Sequence, residues 1–355
     1  MPAYDAFLLL SFGGPEGPAD VLPFLENVTR GRGVPRERLA EVAEHYHAYG
    51  GVSPINSQCR EMLAAIGGAF ADAGIDLPLY WGNRNWHPFI TDTVRKLADD
   101  GAEHVIAFVT SAYSSYSACR QYLDDIERAV AAVGPRAPRI DKIRPYFNHP
   151  GFIEPFAAHT EAARQTLPAD VRDDARLVFT AHSVPLGMAA ASGSVSAGTS
   201  LATVTGGRYA TELKEASRLI SERTRGACLP YDLVYQSRSG PAGQPWLEPD
   251  VRDHIASLAK NGVPAVVVVP VGFVSDHMEV VYDLDVEAAQ AAASLGLPFA
   301  RAAAPGLSPR FARMVAELVA ERLSGAAPLA LGAMGPAPWP CPADCCRYTR
   351  PARPA

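Results

Sequence analysis

The chain has 355 residues, which at a typical domain size of roughly 150 residues predicts two domains, or one domain with a two-part core. Hydrophobic residues make up 48% of the chain and charged residues 20%, which excludes a fully disordered or a membrane-embedded protein. With 32 basic and 38 acidic side chains the formal net charge is −6, so nothing in the charge balance points to nucleic acid.

The amino-terminal segment does not have the pattern of an export signal. The apolar run Phe7–Leu10 lacks a preceding basic region, and polar residues and glycines follow it at once. No stretch of about 18 apolar residues occurs. We therefore expect a cytoplasmic protein without an integral membrane segment, in a compartment where disulfides are rare.

Short apolar runs alternate with longer amphipathic stretches along the chain. The predicted strands are Phe7–Ser11, Leu79–Trp81, Val105–Val109, Arg139–Arg144, Leu177–Thr180, Leu233–Tyr235 and Ala265–Val269. The predicted helices are Pro54–Asp72, Pro88–Asp100, Ala118–Val133, Gly206–Arg223, Pro249–Asn261, Met278–Ser294 and Ser308–Leu323. The strands show little period-two alternation, which is typical of parallel strands buried on both faces. This order predicts an α/β fold with doubly wound parallel sheets.

The two halves of the chain resemble each other. The matching segments are Phe7–Gly17 with Val178–Gly187, Leu79–Asn85 with Leu233–Gly240, and His104–Val109 with Ala265–Pro270. Any two α/β halves look somewhat alike, but three consecutive matches in the same order favour an internal duplication.

Breaks in the pattern divide the chain into five units. They are a first domain over 1–148, a second domain over 149–305, a helix over 306–323 that packs back on the body, an Ala/Pro/Gly tether over 324–340, and a Cys-containing tail over 341–355. The domain boundary follows from Pro145 and Pro150, which interrupt the repeat. Ala189–Gly207 consists mainly of small residues and is predicted to be a mobile loop.

Chemically useful residues follow the predicted strands of the second half, where doubly wound sheets bind ligands. His182 comes after Leu177–Thr180, and an imidazole there can accept or relay protons, although a lone histidine is often structural. In the helix predicted further on, Glu279, Asp283 and Glu287 are spaced four apart and lie on one face.

This acidic face has two interpretations. A row of carboxylates on a helix is commonly a solvated surface. At a strand end in a cleft it also suits a hard divalent cation or a proton relay. Repulsion between the carboxylates would raise some of their pKa values, which helps them to accept protons.

Three of the six cysteines, Cys341, Cys345 and Cys346, lie in the terminal segment. In a cytoplasmic protein such a group favours a metal or iron–sulfur site, and Cys119 is the best-placed fourth ligand. Zinc satisfies the same ligand count. The adjacent Cys345 and Cys346 project apart on an extended chain, which favours a binuclear iron cluster.

The remaining two cysteines, Cys59 and Cys228, are interpreted as small buried hydrophobic residues.

Five segments in one order carry a family resemblance. They are Leu9–Pro15, Tyr49–Ile55, Thr180–Pro185, Gln236–Pro241 with Pro245–Leu247, and Phe273–Asp285. Together they resemble the ferrochelatase family, whose members insert ferrous iron into a porphyrin in heme synthesis. The resemblance extends from about Ala6 to Leu323. It implies two flavodoxin-like domains with a porphyrin cleft between them, the chelatase fold, in agreement with the duplication.

The resemblance also implies roles for the residues of the second half. His182 matches the catalytic histidine of the family and Glu279 its partner carboxylate. These two would bind the substrate Fe²⁺ and take up the pyrrole protons, and Asp283 and Glu287 would continue a polar path for protons or metal.

Residues of the first half match positions that hold the porphyrin. Tyr46 and Ser53 match propionate-binding positions of bacterial relatives, with Arg30 and Arg32 nearby as partners. His45 replaces an arginine that is common in those relatives.

The apolar part of the porphyrin site is expected to involve Phe12, Tyr113, Trp81 and Trp86. Phe12 stands where some bacterial relatives have a tyrosine that can ligate iron. For the two tryptophans a place in the core is an equally good interpretation.

The resemblance further implies a cofactor and a substrate. Some family members hold a binuclear iron–sulfur cluster, and Cys119, Cys341, Cys345 and Cys346 match its ligands, so we expect a [2Fe–2S] cluster with a structural or sensing role. Soluble bacterial members without a membrane-binding lip act mostly on coproporphyrin III, which we therefore favour over protoporphyrin IX. We expect a monomer. A cobalt or nickel tetrapyrrole chelatase and a non-catalytic heme or iron–sulfur sensor are the competing functions.

Overall fold

The computed structural model describes residues 4–31, 33–193, 206–226, 228–239 and 243–348. Its strands form two four-stranded parallel sheets. The first has the order β2–β1–β3–β4 and consists of β1 (Ala6–Ser11), β2 (Leu79–Asn83), β3 (His104–Val109) and β4 (Arg139–Lys142). The second has the order β6–β5–β7–β8 and consists of β5 (Arg176–His182), β6 (Tyr231–Gln236), β7 (Val266–Val269) and β8 (Phe299–Arg301). The predicted fold class is confirmed, and both sheets have the strand order that a duplication requires.

Helices cover the faces of both sheets. They are α1 (Val21–Val28), α2 (Arg36–His47), α3 (Ile55–Asp72), α4 (Ile90–Asp99), α5 (Gln121–Val133), α6 (Pro150–Gln165), α7 (Leu186–Ala190), α8 (Gly207–Arg223), α9 (Val251–Lys260), α10 (Met278–Val280), α11 (Ala289–Ser294) and α12 (Pro309–Ser324). A π-helical turn, Tyr116–Arg120, precedes α5, and a second one, Val281–Ala288, joins α10 to α11. The helix predicted over Met278–Ser294 is therefore continuous but changes its winding in the middle.

The burial of β1 explains why its sequence lacks alternation. All six of its residues are buried. Phe7 and Leu9 belong to the large core that both halves share, whereas Leu8 and Leu10 pack with α4 and α5 on the other face. A strand between two apolar layers needs hydrophobic residues at odd and even positions alike.

The two halves share a core and are joined by specific contacts. Phe108 of the first half and Val267 of the second belong to one apolar cluster. The Tyr113 hydroxyl donates to the Val271 carbonyl at 2.8 Å. Helix α12 packs against both α3 and α6.

The segment after α12 follows the edge of the first sheet. The Leu331 N–H donates to the Asn148 carbonyl at 2.8 Å, and the Trp339 indole N–H donates to the Lys142 carbonyl at 2.7 Å. Within the predicted loop Ala189–Gly207, α7 ends at Ala190, and residues 194–205 lie outside the described part of the chain. Among the described residues, no helix has both the length and the apolar character needed to cross a membrane.

Candidate active site

His182 and Glu279 face each other at the carboxyl end of the second sheet. His182 is the last residue of β5, and Glu279 lies in α10, directly after the loop that follows β7. The His182 Nε2 atom is 3.3 Å from the Glu279 Oε1 atom, and the two side chains are 36% and 40% exposed. The Tyr209 hydroxyl of α8 donates to the His182 carbonyl at 3.0 Å and so holds the end of the strand.

The pKa values of this pair are shifted in opposite directions. Burial alone lowers the pKa of His182, but the charge and the hydrogen bond of Glu279 outweigh it and raise the pKa from 6.5 to about 8. Burial alone raises the pKa of Glu279, but His182 outweighs it and lowers the pKa to about 2. At neutral pH the pair is therefore an imidazolium beside a carboxylate.

Asp283 continues the acidic face on the π-helical turn. It accepts a hydrogen bond from the Gln236 amide at 3.2 Å and another from the Ser237 hydroxyl. Burial, together with the negative charge of Glu279, raises its pKa from 3.8 to about 7. A carboxyl that titrates near neutral pH can both accept and release a proton.

Glu287 lies at the outer end of the acidic face. Its carboxylate is 3.2 Å from Nη1 of Arg252 on α9, and its side chain is partly exposed. The three carboxylates therefore form one acidic row that begins at the His182–Glu279 pair.

Of the first-half residues predicted to hold the porphyrin, Tyr46 lies near this pair. Tyr46 of α2 is near enough to Glu279 that this negative charge, added to the larger effect of burial, raises the pKa of its phenol. Ser53 is buried, and its N–H donates to the Pro15 carbonyl at 2.8 Å. Phe12 is 36% exposed at the end of β1. Arg30, just beyond α1, is exposed.

Other residues predicted at the porphyrin site lie deeper or elsewhere. Tyr113 is buried in the core, and its hydroxyl is the group that donates to Val271. Trp86 packs against Phe24 at a centroid distance of 6.1 Å, and Trp81 lies under the Arg60 guanidinium. Arg32 lies outside the described residues.

His45 takes part in a contact that the sequence analysis did not find. Its imidazole stacks on the Tyr282 ring at a centroid distance of 3.9 Å and an interplanar angle of 9°. His45 belongs to α2 and Tyr282 to the π-helical turn, so the stack joins the two halves beside the acidic face. No spacing rule relates residues so far apart in the chain.

The cysteines of the tail lie beside the loop that carries Cys119. The Sγ atoms of Cys345 and Cys346 are 3.6 Å apart. The expectation that these thiols project apart is wrong, because Cys346 has a left-handed backbone with φ of 56° and the chain turns there. Cys119 is buried in the π-helical turn, and Cys341 is partly buried.

Polar groups of both halves surround these thiols. The Gly193 N–H donates to Cys346 Sγ at 3.3 Å, and Arg208 of α8 lies within electrostatic range of Cys345 and Cys346. Lys142 lies beside Cys119, whose pKa is raised by burial. Within the described ranges, however, no three side chains of metal-ligating type converge as one ion would require.

The other two cysteines have different environments. Cys59 is buried in α3 as predicted, whereas Cys228 is exposed, so its interpretation as a buried residue is wrong. It lies in the connection between α8 and β6, outside both elements.

The fold places the chain in a known structural class. The structure is similar to SirB from Bacillus subtilis with Fe³⁺, with a TM-score of 0.51 and 13% identity over 90% of this chain and 98% of that one. It is also similar to the sirohydrochlorin chelatase SirB from Bacillus subtilis subspecies spizizenii in complex with cobalt, with a TM-score of 0.50 and 12% identity over 90% and 95% of the two chains. The fold is that of the chelatases.

Sequence comparison identifies the family. The sequence model of the family described as Ferrochelatase matches residues 4–323. The chain belongs to the ferrochelatase family and is an enzyme of the metal-chelatase class. It is 56% identical to the coproporphyrin III ferrochelatase of Nocardia farcinica, over 99% of each chain. It is 51% identical to the coproporphyrin III ferrochelatase of Mycolicibacterium smegmatis, over 95% of each chain, and 51% identical to the ferrochelatase of Rhodopirellula baltica, over 100% of this chain and 96% of that one.

Proposed function

We propose that this enzyme inserts Fe²⁺ into coproporphyrin III, giving Fe-coproporphyrin III (coproheme) in heme biosynthesis. Family membership and the names of the relatives at 51–56% identity support this reaction. The observation that carries the assignment to residues is the His182–Glu279 pair, 3.3 Å apart at the carboxyl end of the second sheet.

In this proposal His182 first passes its own proton to Asp283, and His182 and Glu279 then bind the incoming iron. As the iron moves into the macrocycle, the ligand atoms that it leaves take up the two pyrrole protons. Insertion replaces two pyrrole N–H protons by one Fe²⁺, so two protons must leave the macrocycle. His182 is protonated at neutral pH, and it must release its own proton before Nε2 can bind a metal. Asp283, with a pKa of about 7, accepts protons near working pH, and Glu287 passes them to solvent.

The porphyrin would lie between the halves. Tyr46, Ser53 and Arg30 are proposed to meet its propionates, and Phe12 its apolar face. Half-buried Tyr46 in the field of Glu279 and exposed Phe12 at the end of β1 support this placement. Tyr113 would support the porphyrin site from the core without a hydrogen bond to the porphyrin, because its hydroxyl already donates to the Val271 carbonyl.

We further propose that Cys119, Cys341, Cys345 and Cys346 hold a [2Fe–2S] cluster. The fit is supported by soft thiol donors gathered around one buried turn, by a 3.6 Å Sγ–Sγ distance, and by cationic side chains that offset thiolate charge. When bound, the cluster would cross-link the terminal segment to the turn that carries Cys119, or would make this contact sensitive to redox conditions. It is assigned no step in iron insertion.

The cellular setting and the organisation of the chain are part of the same proposal. We infer a cytoplasmic monomer whose first domain ends near 148 and whose second ends near 305. Helix α12 and the segment after it then tie the second domain back to the first, as the contacts of Asn148 with Leu331 support.

An anaerobic assay tests the function. Purified protein is supplied with Fe²⁺ and either coproporphyrin III or protoporphyrin IX, with Co²⁺ as a competing metal. We expect iron insertion into coproporphyrin III at the higher kcat/KM. Faster turnover of protoporphyrin IX would overturn the substrate assignment, and tight porphyrin binding without turnover would indicate a sensor.

The His182→Ala variant tests the site. General acid–base groups contribute about 10²- to 10⁴-fold to rates, so we expect kcat to fall by at least about 100-fold while porphyrin quenching of intrinsic fluorescence is retained. His254→Ala is the control, because His254 is paired with Asp232 away from the site. Unchanged turnover in His182→Ala would defeat the assignment.

A further inference from the structure

Arg301 makes an ion pair with two carboxylates on either side of Glu279 in the chain. It is the last residue of β8, next to β7 in the second sheet. Its Nη1 lies 3.1 Å and its Nη2 3.4 Å from the two carboxylate oxygens of Asp276. Its Nε lies 2.5 Å and the same Nη2 2.9 Å from those of Asp285.

These contacts enclose the segment that carries Glu279. Asp276 lies three residues before Glu279 and Asp285 six residues after it. Because one guanidinium holds both ends, residues 276–285 form a loop closed on a rigid strand. The Asp276 N–H also donates to the Gln58 side chain of α3 at 2.9 Å, so the start of the loop is fixed from the first half as well.

The local backbone explains why such a tie is needed. The π-helical turn Val281–Ala288 contains Asp285, and π-helical turns are rare and frequently found at functional sites. An ion pair to a neighbouring strand holds this winding in place. The planar fork of arginine fits two carboxylates at once, which the point charge of lysine does not.

The burial of the ion pair separates it from an ordinary surface pair. The Arg301 side chain is 17% exposed and that of Asp276 is 18% exposed. Exposed pairs contribute little to stability or geometry, whereas a largely buried pair that loses one partner leaves an uncompensated charge.

We propose that Arg301 is a positioning residue for iron insertion: by bridging Asp276 and Asp285 it sets the place of the Glu279 carboxylate relative to His182. This inference rests on the proposed role of Glu279. A misplacement of about 1 Å in a catalytic group can cost about 100-fold in rate, so the loss of the bridge affects kcat rather than the binding of porphyrin.

The test compares Arg301→Gln and Arg301→Lys with a matched control. The control is Arg176, whose guanidinium contacts both carboxylate oxygens of Asp232 at 2.7 and 2.8 Å. Arg176 begins β5, at the end of the strand opposite to His182. We expect Arg301→Gln to lower kcat by about 10- to 100-fold with an unchanged dissociation constant for coproporphyrin III. Arg301→Lys should recover part of the loss, and Arg176→Gln should leave kcat unchanged.

A second variant covers the case in which Arg301→Gln does not fold. Asp285→Asn removes one arm of the bridge at a more exposed position and leaves Arg301 paired with Asp276. We expect a smaller decrease of kcat in the same direction, again without a change in porphyrin binding. Wild-type kcat in Asp285→Asn and in whichever Arg301 variant folds would overturn the proposal.

The Glu279→Gln variant, assayed alongside, distinguishes failure of the positioning role of Arg301 from failure of the proposed role of Glu279. If Glu279→Gln is inactive while Arg301→Gln has wild-type kcat, the positioning role is overturned and the proposed function stands. If Glu279→Gln turns over normally, the role of Glu279 fails, and the positioning role fails with it.

Discussion

Among the neighbours of His182, Glu279 has the largest effect on its charge state. Its pKa is raised above the ordinary 6.5 because the attraction of Glu279 exceeds the cost of burial. A group whose pKa is raised on folding stabilises the folded chain fully below its unfolded value, and that contribution is lost as the pH rises through about 8. If His182 binds iron as proposed, the same rise frees Nε2 for the metal, and we expect activity to increase over the range in which the stabilisation from this pair is lost.

We expect the Glu279→Gln variant to lower the pKa of His182 from about 8, because the largest influence that opposes burial is removed and only the Ser183 carbonyl and the Asp283 charge still oppose it. NMR titration of the imidazole measures this shift directly. Glu287→Gln is the matched control, since Glu287 is paired with Arg252 and is not among the groups that shift His182. A pKa that stays near 8 in Glu279→Gln would contradict the pairing.

At the scale of elements, the tail is held against α7 and the start of α8. The Cys346 N–H donates to the Gly193 carbonyl at 2.9 Å, and the neighbouring Ser192 hydroxyl accepts from the Tyr209 N–H at 2.8 Å. Tyr209 in turn holds the His182 carbonyl. The thiols are thus separated from the end of β5 by only a few hydrogen-bonded residues.

We expect Cys119→Ser to abolish the absorption bands and the bound iron and sulfide of anaerobically purified protein, because Cys119 is the proposed internal ligand. Cys228→Ser is the control: this residue is exposed and lies outside the proposed ligand set. Full cluster content in Cys119→Ser would contradict the proposed ligands. The far-UV spectrum distinguishes loss of the cluster from loss of the fold.

At the scale of the whole molecule, α12 fastens the two halves together. Phe311 is fully buried and makes edge contacts with Phe108 and Tyr146 of the first half. We expect Phe311→Ala to lower the free energy of unfolding by about 3–5 kcal/mol, measured by urea denaturation. Leu307→Ala, at a side chain that is 43% exposed, is the control and should have little effect. A loss below about 1 kcal/mol in Phe311→Ala would show that the core rearranges there.

The sequence predicted those elements whose pattern is local. Strands such as Val266–Val269 and the helix Met278–Ser294 were found because apolar runs and periodicity directly reflect burial. Helices α1, α2, α6 and α7 and strand β8 were not predicted. Helix α2 buries only Leu39 and Ala43, and α6 contains Pro155. The stack of His45 on Tyr282 and the bridge of Arg301 depend on tertiary placement, which no spacing encodes.

The parallel rings of His45 and Tyr282 have a consequence for the affinity of the protein for a planar porphyrin. Before anything enters, these two surfaces already shield each other from water. If the porphyrin enters between the halves at this point, as proposed, it separates the two rings and covers faces that were already shielded from water. The affinity measured for the porphyrin would then reflect its contacts with the two rings minus the contact that the rings lose with each other. Removing either ring would change both of these contributions.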